Sequence, residues 1–344
     1  MQVLRTVVVG LGRIGWQFHL PQVTRHQGFE LVGVVDPLAE RRQEAASFAV
    51  PAYPELGPCL AAAKPDLVVL ASPTPFHARQ ALAAFEQGCD VFCDKPLAAG
   101  LEEADEVIAA MGRLGRKLMV YQPHRARPEI VALRDILAQG LIGPVYMMKF
   151  ARANYTRRND WQAFVANGGG MLNNYGAHGV DLALYLAGRP ARRVCAALRS
   201  IASLGDADDV VKAVIETEDG VVLDLDINMA TAHPMPPYHI FGRFGSVVFD
   251  EAAEAWDVRY FDPDQLDAIE LQQGLAAADR RYGSGEAIPW QRRRVEAGDY
   301  QPVDFYEECY RYFALDRTPF VPVEQTREVM RVLDWCRRDG AAAD

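Results

Sequence analysis

Three short stretches hold residues whose types and spacing suit chemistry. "CDKPL" sets Lys95 between Asp94 and Pro96, directly after the apolar strand-like run Asp90 to Phe92. A lysine is seldom buried unless it is paired or working, so one at a strand exit is a candidate proton carrier. "GLGRIG" places Gly10, Gly12 and Gly15 after a β-branched run. That spacing permits a tight turn, a close backbone approach to a pyrophosphate, and a helix packed hard on its strand. "GGGMLNNYGAHGVDL" puts Asn174, His178 and Asp181 at i, i+4 and i+7, which share one helix face. The amide can hold a hydroxyl but takes no proton at neutral pH.

The elements around these stretches decide what the residues can do. "TVVV" reads as a strand, the glycines as its turn, and Trp16 towards Val23 as the helix that follows. A second strand, "ELVGVVD", ends in Asp36 about twenty residues after the last glycine. Free N–H groups and the positive dipole end of the helix suit phosphates. Asp36 suits both ribose hydroxyls and repels a 2′-phosphate. That favours NAD over NADP, although Arg41 and Arg42 nearby weaken the preference and leave NADP open. A glycine turn in some other α/β fold is the plainer alternative, and it does not explain the acid. Strands and amphipathic helices then alternate up to "KLMVYQP", which implies a Rossmann-type, doubly wound parallel α/β sheet over residues 1–123. Ligands bind beyond the carboxyl ends of such strands. Ser72–Thr74, Asp94–Pro96 and Gln122–Arg125 all land there, so Lys95 falls at the cofactor edge. The cofactor set is Gly10, Gly12, Arg13, Ile14, Gly15, Asp36, Ser72, Pro73, Thr74, His77, Asp94, Lys95, Pro96 and Gln122.

After Gln122 the alternation stops. Residues 124–322 read as an α+β domain with an open, largely antiparallel sheet. Residues 323–344 read as a terminal amphipathic helix packing back on the first domain. One sheet face has no chain left to cover it, which points to another subunit there. "NYTRRNDWQAF" reads as the rim of a cleft. Arg157 and Arg158 there suit a carboxylate, a phosphate or sugar hydroxyls, and Trp161 suits a sugar face. A solvated loop with one anchoring tryptophan is an equal alternative. Arg125 and Tyr155 are further substrate candidates, balanced in the same way. "TAHPMPPYH" could approach the cleft, although His233 reads as a plain loop histidine. Residues 262–300 are polar and lack a clear element, the pattern of a lid, an arm or a surface excursion.

Composition narrows the partners. The net charge is −10, from 36 basic against 46 acidic residues, which disfavours nucleic acid and anionic membrane as partners of the whole surface. No apolar run is long enough to cross a bilayer, and "MQVLRTVVVG" enters a strand without a signal-peptide layout. Six cysteines lack paired metal spacing and read as reduced thiols in a cytoplasmic protein. No metal site is expected.

In order, "GLGRIG", "ASPTPFHARQAL", "CDKPL", "GGGMLNNYGAHGVDL" and "PFVPVEQTREVMRVLDW" resemble the Gfo/Idh/MocA (glucose–fructose oxidoreductase / inositol dehydrogenase) family, across nearly the whole chain. The resemblance implies a two-domain NAD(P)-dependent oxidoreductase acting on the CH–OH groups of sugars, polyols and their derivatives. It places Lys95 beside the nicotinamide and the reacting hydroxyl, with a cis peptide before Pro96. His178 becomes the second catalytic residue, with Asp181 supporting it, and Asn174 stands where many members carry Asp. The catalytic set is therefore Lys95, His178 and Asn174. The substrate set is Lys95, Arg125, Tyr155, Arg157, Trp161, Asn174 and His178. A core histidine satisfied by a carbonyl is the plainer alternative for His178, and a helix-face salt bridge for Asp181. A lysine serves as the base only if its pKa falls towards neutrality, which burial favours and a paired carboxylate opposes. Asp94 is therefore expected to face the cofactor ribose. Two other readings stay open: an NAD-dependent glycosidase with transient oxidation, and a catalytically silent NAD- or sugar-sensing protein.

Overall fold

Runs such as "TVVV" and "LVVL" are β-branched or leucine-rich throughout, the composition of strands covered on both faces. In the computed structural model, which describes residues 2–269, 271, 273–274, 283 and 285–341, they form the centre of a parallel sheet. Its elements are β1 (Leu4–Val9), a π-helical turn (Gly15–His19) running into α1 (Leu20–Arg25), β2 (Phe29–Val35), α2 (Ala39–Glu44) and β3 (Ala52–Tyr53). Next come α3 (Leu56–Ala63), β4 (Leu67–Leu70), α4 (His77–Glu86), β5 (Asp90–Asp94), α5 (Leu101–Leu114) and β6 (Leu118–Tyr121). The six strands lie in the order β3-β2-β1-β4-β5-β6 and every neighbouring pair is parallel. Chain order reverses direction between β1 and β4, so a crevice opens at their carboxyl ends.

The rest of the chain supplies α6 (Pro128–Ala138), β7 (Val145–Ala153), α7 (Ala177–Ala187), β8 (Ala191–Arg199), β9 (Val210–Thr217) and β10 (Val222–Asn228). It continues through β11 (Tyr238–Gly242), β12 (Gly245–Asp250), β13 (Ala255–Tyr260), β14 (Gln291–Glu296), α8 (Phe305–Leu315) and α9 (Val323–Ala341). The second sheet runs β14-β13-β12-β11-β7-β10-β9-β8. β7 and β10 are parallel and the other neighbours antiparallel. In β10, Leu223, Leu225 and Ile227 are buried while Asp224 and Asp226 alternate outward, the two-residue period of a half-covered sheet. Val180 and Leu184 of α7 join the core on the covered face. Gly179 allows the close approach, since a Cβ there would lie 2.5 Å from Leu225. On the open face Lys212 pairs with Asp224 and Asp226, and Lys149 with Asp224.

"HIFGRFGSVVFD", which reads as one extended segment, is a hairpin of β11 and β12. Within residues 262–300, expected to lack a clear element, 291–296 form edge strand β14. Residues 270, 272, 275–282 and 284 of that stretch lie outside the described residues. α8 packs on the first sheet: Phe305, Tyr306, Cys309, Tyr310 and Phe313 share a core with Val8, Phe29, Phe92 and Tyr121. α9 touches both halves. Its Arg327 pairs with Asp105 of α5, while Glu328 and Asp339 accept the backbone N–H groups of Ala191 and Ala196 in β8.

Candidate active site

The glycine turn is built by exclusion. Gly10 has φ +91°, and a Cβ there would lie 2.6 Å from the Ser72 nitrogen, so other residues are barred by both backbone and neighbour. A Cβ on Gly15 would run into the Gly10 carbonyl oxygen. Gly12 is the reverse case: its nearest atom would be Arg41 Nη1 at 3.9 Å, so bare backbone faces open space at the head of the helix. Asp36 is buried at the end of β2. Its carboxylate accepts from the backbone N–H of Leu11 at 2.8 Å and of Leu38 at 2.9 Å, with Arg41 Nη1 at 3.4 Å. A phosphate-sized cradle at a helix start and a fixed carboxylate one strand away fit a dinucleotide. From Asp36 a cleft of about 1490 Å³ runs past Gly10, Ser72 and Lys95 to Asn174 and His178.

Lys95 leaves β5 at its carboxyl end and is followed by a cis peptide bond to Pro96. Its Nζ donates to the Asn174 backbone carbonyl at 2.8 Å and to Asn174 Oδ1 at 3.2 Å. Asn174 lies in a π-helical turn, Leu172–Gly176, that leads into α7. Such single turns insert a residue into a helix and recur at working sites. The Asn174 amide donates onward to Gln162 Oε1 at 3.2 Å. Burial lowers the Lys95 ammonium from its ordinary range to about 8; Asp94 opposes the shift, and Arg13 and Arg158 assist it. Asp94 Oδ1 accepts the backbone N–H of Lys95 at 2.8 Å, a local use of the acid that the sequence did not suggest.

His178 is buried, with Nδ1 unpartnered. His124 stacks on it, ring centroids 4.1 Å apart and planes 3° from parallel. Burial, and after it the positive charge of Lys95, hold the His178 imidazole well below its usual pKa. Burial and Arg127 push His124 down to about 3. Both rings are therefore neutral at pH 7. Asp181, expected to support His178, instead takes Arg125: Nη2 to Oδ1 at 2.5 Å and Nε to Oδ2 at 2.8 Å, the whole pair buried. Gln325 accepts from the same guanidinium at 2.6 Å. A buried charge requires a partner, and this one joins the turn after β6 (Pro123–Ala126) to α7 and α9.

Of the residues singled out in the sequence, Gly10, Gly12, Arg13, Ile14, Asp36, Ser72, Pro73, Thr74, Asp94, Lys95, Pro96, Trp161, Asn174 and His178 line the one cleft. Gly15, His77 and Gln122 lie behind the wall; His77 sits 2.9 Å from the Pro96 carbonyl and 2.7 Å from that of Ser72. Arg125 is spent in its ion pair. Tyr155 is 59% exposed, at an isolated bridge to Ala230, away from the cleft. Arg157 is exposed and outside it, whereas Arg158 lines it. The loop around His233 borders a separate hollow against β12 and β13. Tyr121, Gln162 and Asn173 also line the cleft without having been singled out. Tyr121 was findable as the last residue of β6; Gln162 and Asn173 carry no periodic signal.

Residues 4–122 match the model of an oxidoreductase family with an NAD-binding Rossmann fold, and residues 130–248 match the Gfo/Idh/MocA C-terminal domain. The chain is 31% identical to D-glucoside 3-dehydrogenase of Escherichia coli over 198 residues, 55% of this chain and 55% of that protein. It is 28% identical to inositol 2-dehydrogenase of Streptomyces avermitilis over 66% of each. The match thus spans little more than half of the first relative. An NAD-binding protein from Listeria innocua shares the fold with a TM-score of 0.83 and 23% identity, covering 98% of this chain and 95% of that one.

Proposed function

Because this chain belongs to the Gfo/Idh/MocA family of NAD-binding oxidoreductases, we propose that it interconverts a CH–OH group and a carbonyl on a sugar, polyol or sugar derivative. The observation that carries this reading is Lys95, half-buried in the cleft wall with its pKa lowered to about 8 and its Nζ held by Asn174. NAD lying along the cleft supplies the hydride acceptor. Gly10, Gly12 and Arg13 would hold its phosphates, and Asp36 its adenosine ribose. The Asp36 carboxylate beside the ribose repels a 2′-phosphate, which supports NAD over NADP.

In the oxidation direction neutral Lys95 takes the hydroxyl proton. Asn174 keeps Nζ aimed at the cleft, and its carbonyl groups accept from the ammonium once it forms. Neutral His178 makes a second hydrogen bond to the hydroxyl, and stacked His124 keeps its ring in place. In the reverse direction the Lys95 ammonium returns the proton to the forming alkoxide. Trp161 and Gln162 border the space left for the substrate.

The open face of the second sheet supports a homodimer or homotetramer. Tyr146 is 52% exposed, and the Lys149–Asp224 and Lys212–Asp224 pairs lie on that face, so two copies can match charges. Six free thiols suit a reducing compartment such as the cytoplasm. Among the described residues no helix is long and apolar enough to cross a membrane, and no three metal-ligating side chains cluster. The test is reduced-nicotinamide absorbance with NAD, then NADP, against aldoses, polyols, inositols and sugar acids. Turnover on one class with NAD supports the reading; NAD binding with no turnover on any member contradicts it.

A further inference from the structure

Arg158 stands on the loop between β7 and α7, in the wall of the cleft. Its Nε and Nη1 are shielded from solvent and find no hydrogen-bond acceptor among the described residues. The nearest acid, Asp160, comes only to 3.8 Å of Nε, and its Oδ1 already accepts the backbone N–H of Gln162 at 3.1 Å. A guanidinium keeps its charge at any physiological pH, and buried donors in folded proteins are almost always satisfied. The partly exposed remainder of the side chain lines the cleft, so an acceptor that arrives with a ligand can reach the guanidinium there. The surroundings indicate its sign. Arg13 and Arg158 both act on Lys95 at this end of the cleft, with Asp94 opposing them, while Asn174, Gln162 and His178 are neutral.

Resting on the dehydrogenase reading, we propose that Arg158 binds an oxyanion of the substrate, so that the preferred substrate is an acidic sugar derivative, a carboxylate or a phosphate ester, rather than a neutral polyol. The reacting CH–OH then sits at Lys95 with the anionic group on the Arg158 side. The anion would also neutralise a guanidinium that the free protein leaves without an acceptor, so binding energy is concentrated on one substrate feature.

Calorimetry on the NADH-loaded protein tests this with D-gluconate, D-glucuronate and D-glucose 6-phosphate against neutral D-glucose and D-sorbitol. At least one anionic probe is expected to bind about 50-fold tighter than its neutral counterpart. Whether that probe is a carboxylate or the phosphate identifies the oxyanion. Arg158→Met should erase the margin while affinity for the neutral probe and for NADH stays within about threefold, and Arg158→Lys should restore part of it. Anionic probes binding no tighter than neutral ones, or none binding at all, would overturn the proposal. So would loss of NADH affinity in Arg158→Met, which would give the guanidinium to the cofactor. Charge-selective binding without turnover would leave this assignment standing and count against the dehydrogenase reading alone.

Discussion

With its conjugate acid at about 8, Lys95 is mostly protonated at pH 7 and mostly neutral above about pH 9. The proton-accepting form is the neutral amine, so oxidation should speed up as pH rises through about 8, and carbonyl reduction should slow through the same range. His178 is neutral at pH 7 and above, so it should add no second limb there. Initial rates between pH 6 and 10 check both statements. Asn174 supplies a sharper test. Asn174→Asp sets a carboxylate where Oδ1 now lies 3.2 Å from Nζ, and an anion that close raises a lysine pKa by about one unit or more. The oxidation limb should therefore move to higher pH; an unmoved limb would mean that another group titrates. The sequence made Lys95 legible because a strand-end lysine before proline is a local pattern. It hid the Arg125–Asp181 pair, whose partners lie 56 residues apart, and it gave no means of telling Arg157, outside the cleft, from Arg158, which lines it.

At the scale of elements, the glycine turn and the two π-helical turns set where the chemistry sits. Gly10→Ala would need a left-handed backbone and a Cβ inside the Ser72 contact. It should cost about 2–4 kcal/mol in urea unfolding and remove NAD affinity as β1 and β4 are forced apart. Arg125→Met leaves Asp181 charged and alone between α7 and α9, and should cost about 3–5 kcal/mol. A variant that kept its stability would contradict this bridging role of the pair. Strand and helix order was readable because β-branched runs and 3.6-residue periods are local. The π-helical turns were not, since one inserted residue leaves no compositional mark, and β14 was obscured because a polar edge strand lacks the alternation of a half-buried one.

In the whole molecule, α8 and α9 return to seal both sheets, and among the described residues one face of the second sheet is left without cover. That face carries Val214 and the Lys212–Asp224 pair. Light scattering should report a dimer or tetramer, and Val214→Asp should shift it towards monomer while the far-ultraviolet spectrum stays unchanged; a monomeric parent protein would refute this use of the face. The two-layer plan was legible from the change in alternation after Gln122, while the docking of α8 on the first sheet was not, because 180 or more residues separate it from the strands it covers. The most direct test of the central claim follows NADH formation by the intact protein and by Lys95→Ala, across pH, with NAD affinity measured alongside. Loss of about 10²–10⁴-fold in turnover and of the limb near pH 8, with NAD affinity unchanged, is the predicted result. A variant that turns over like the parent, with the limb intact, would contradict the assignment of Lys95 as the base.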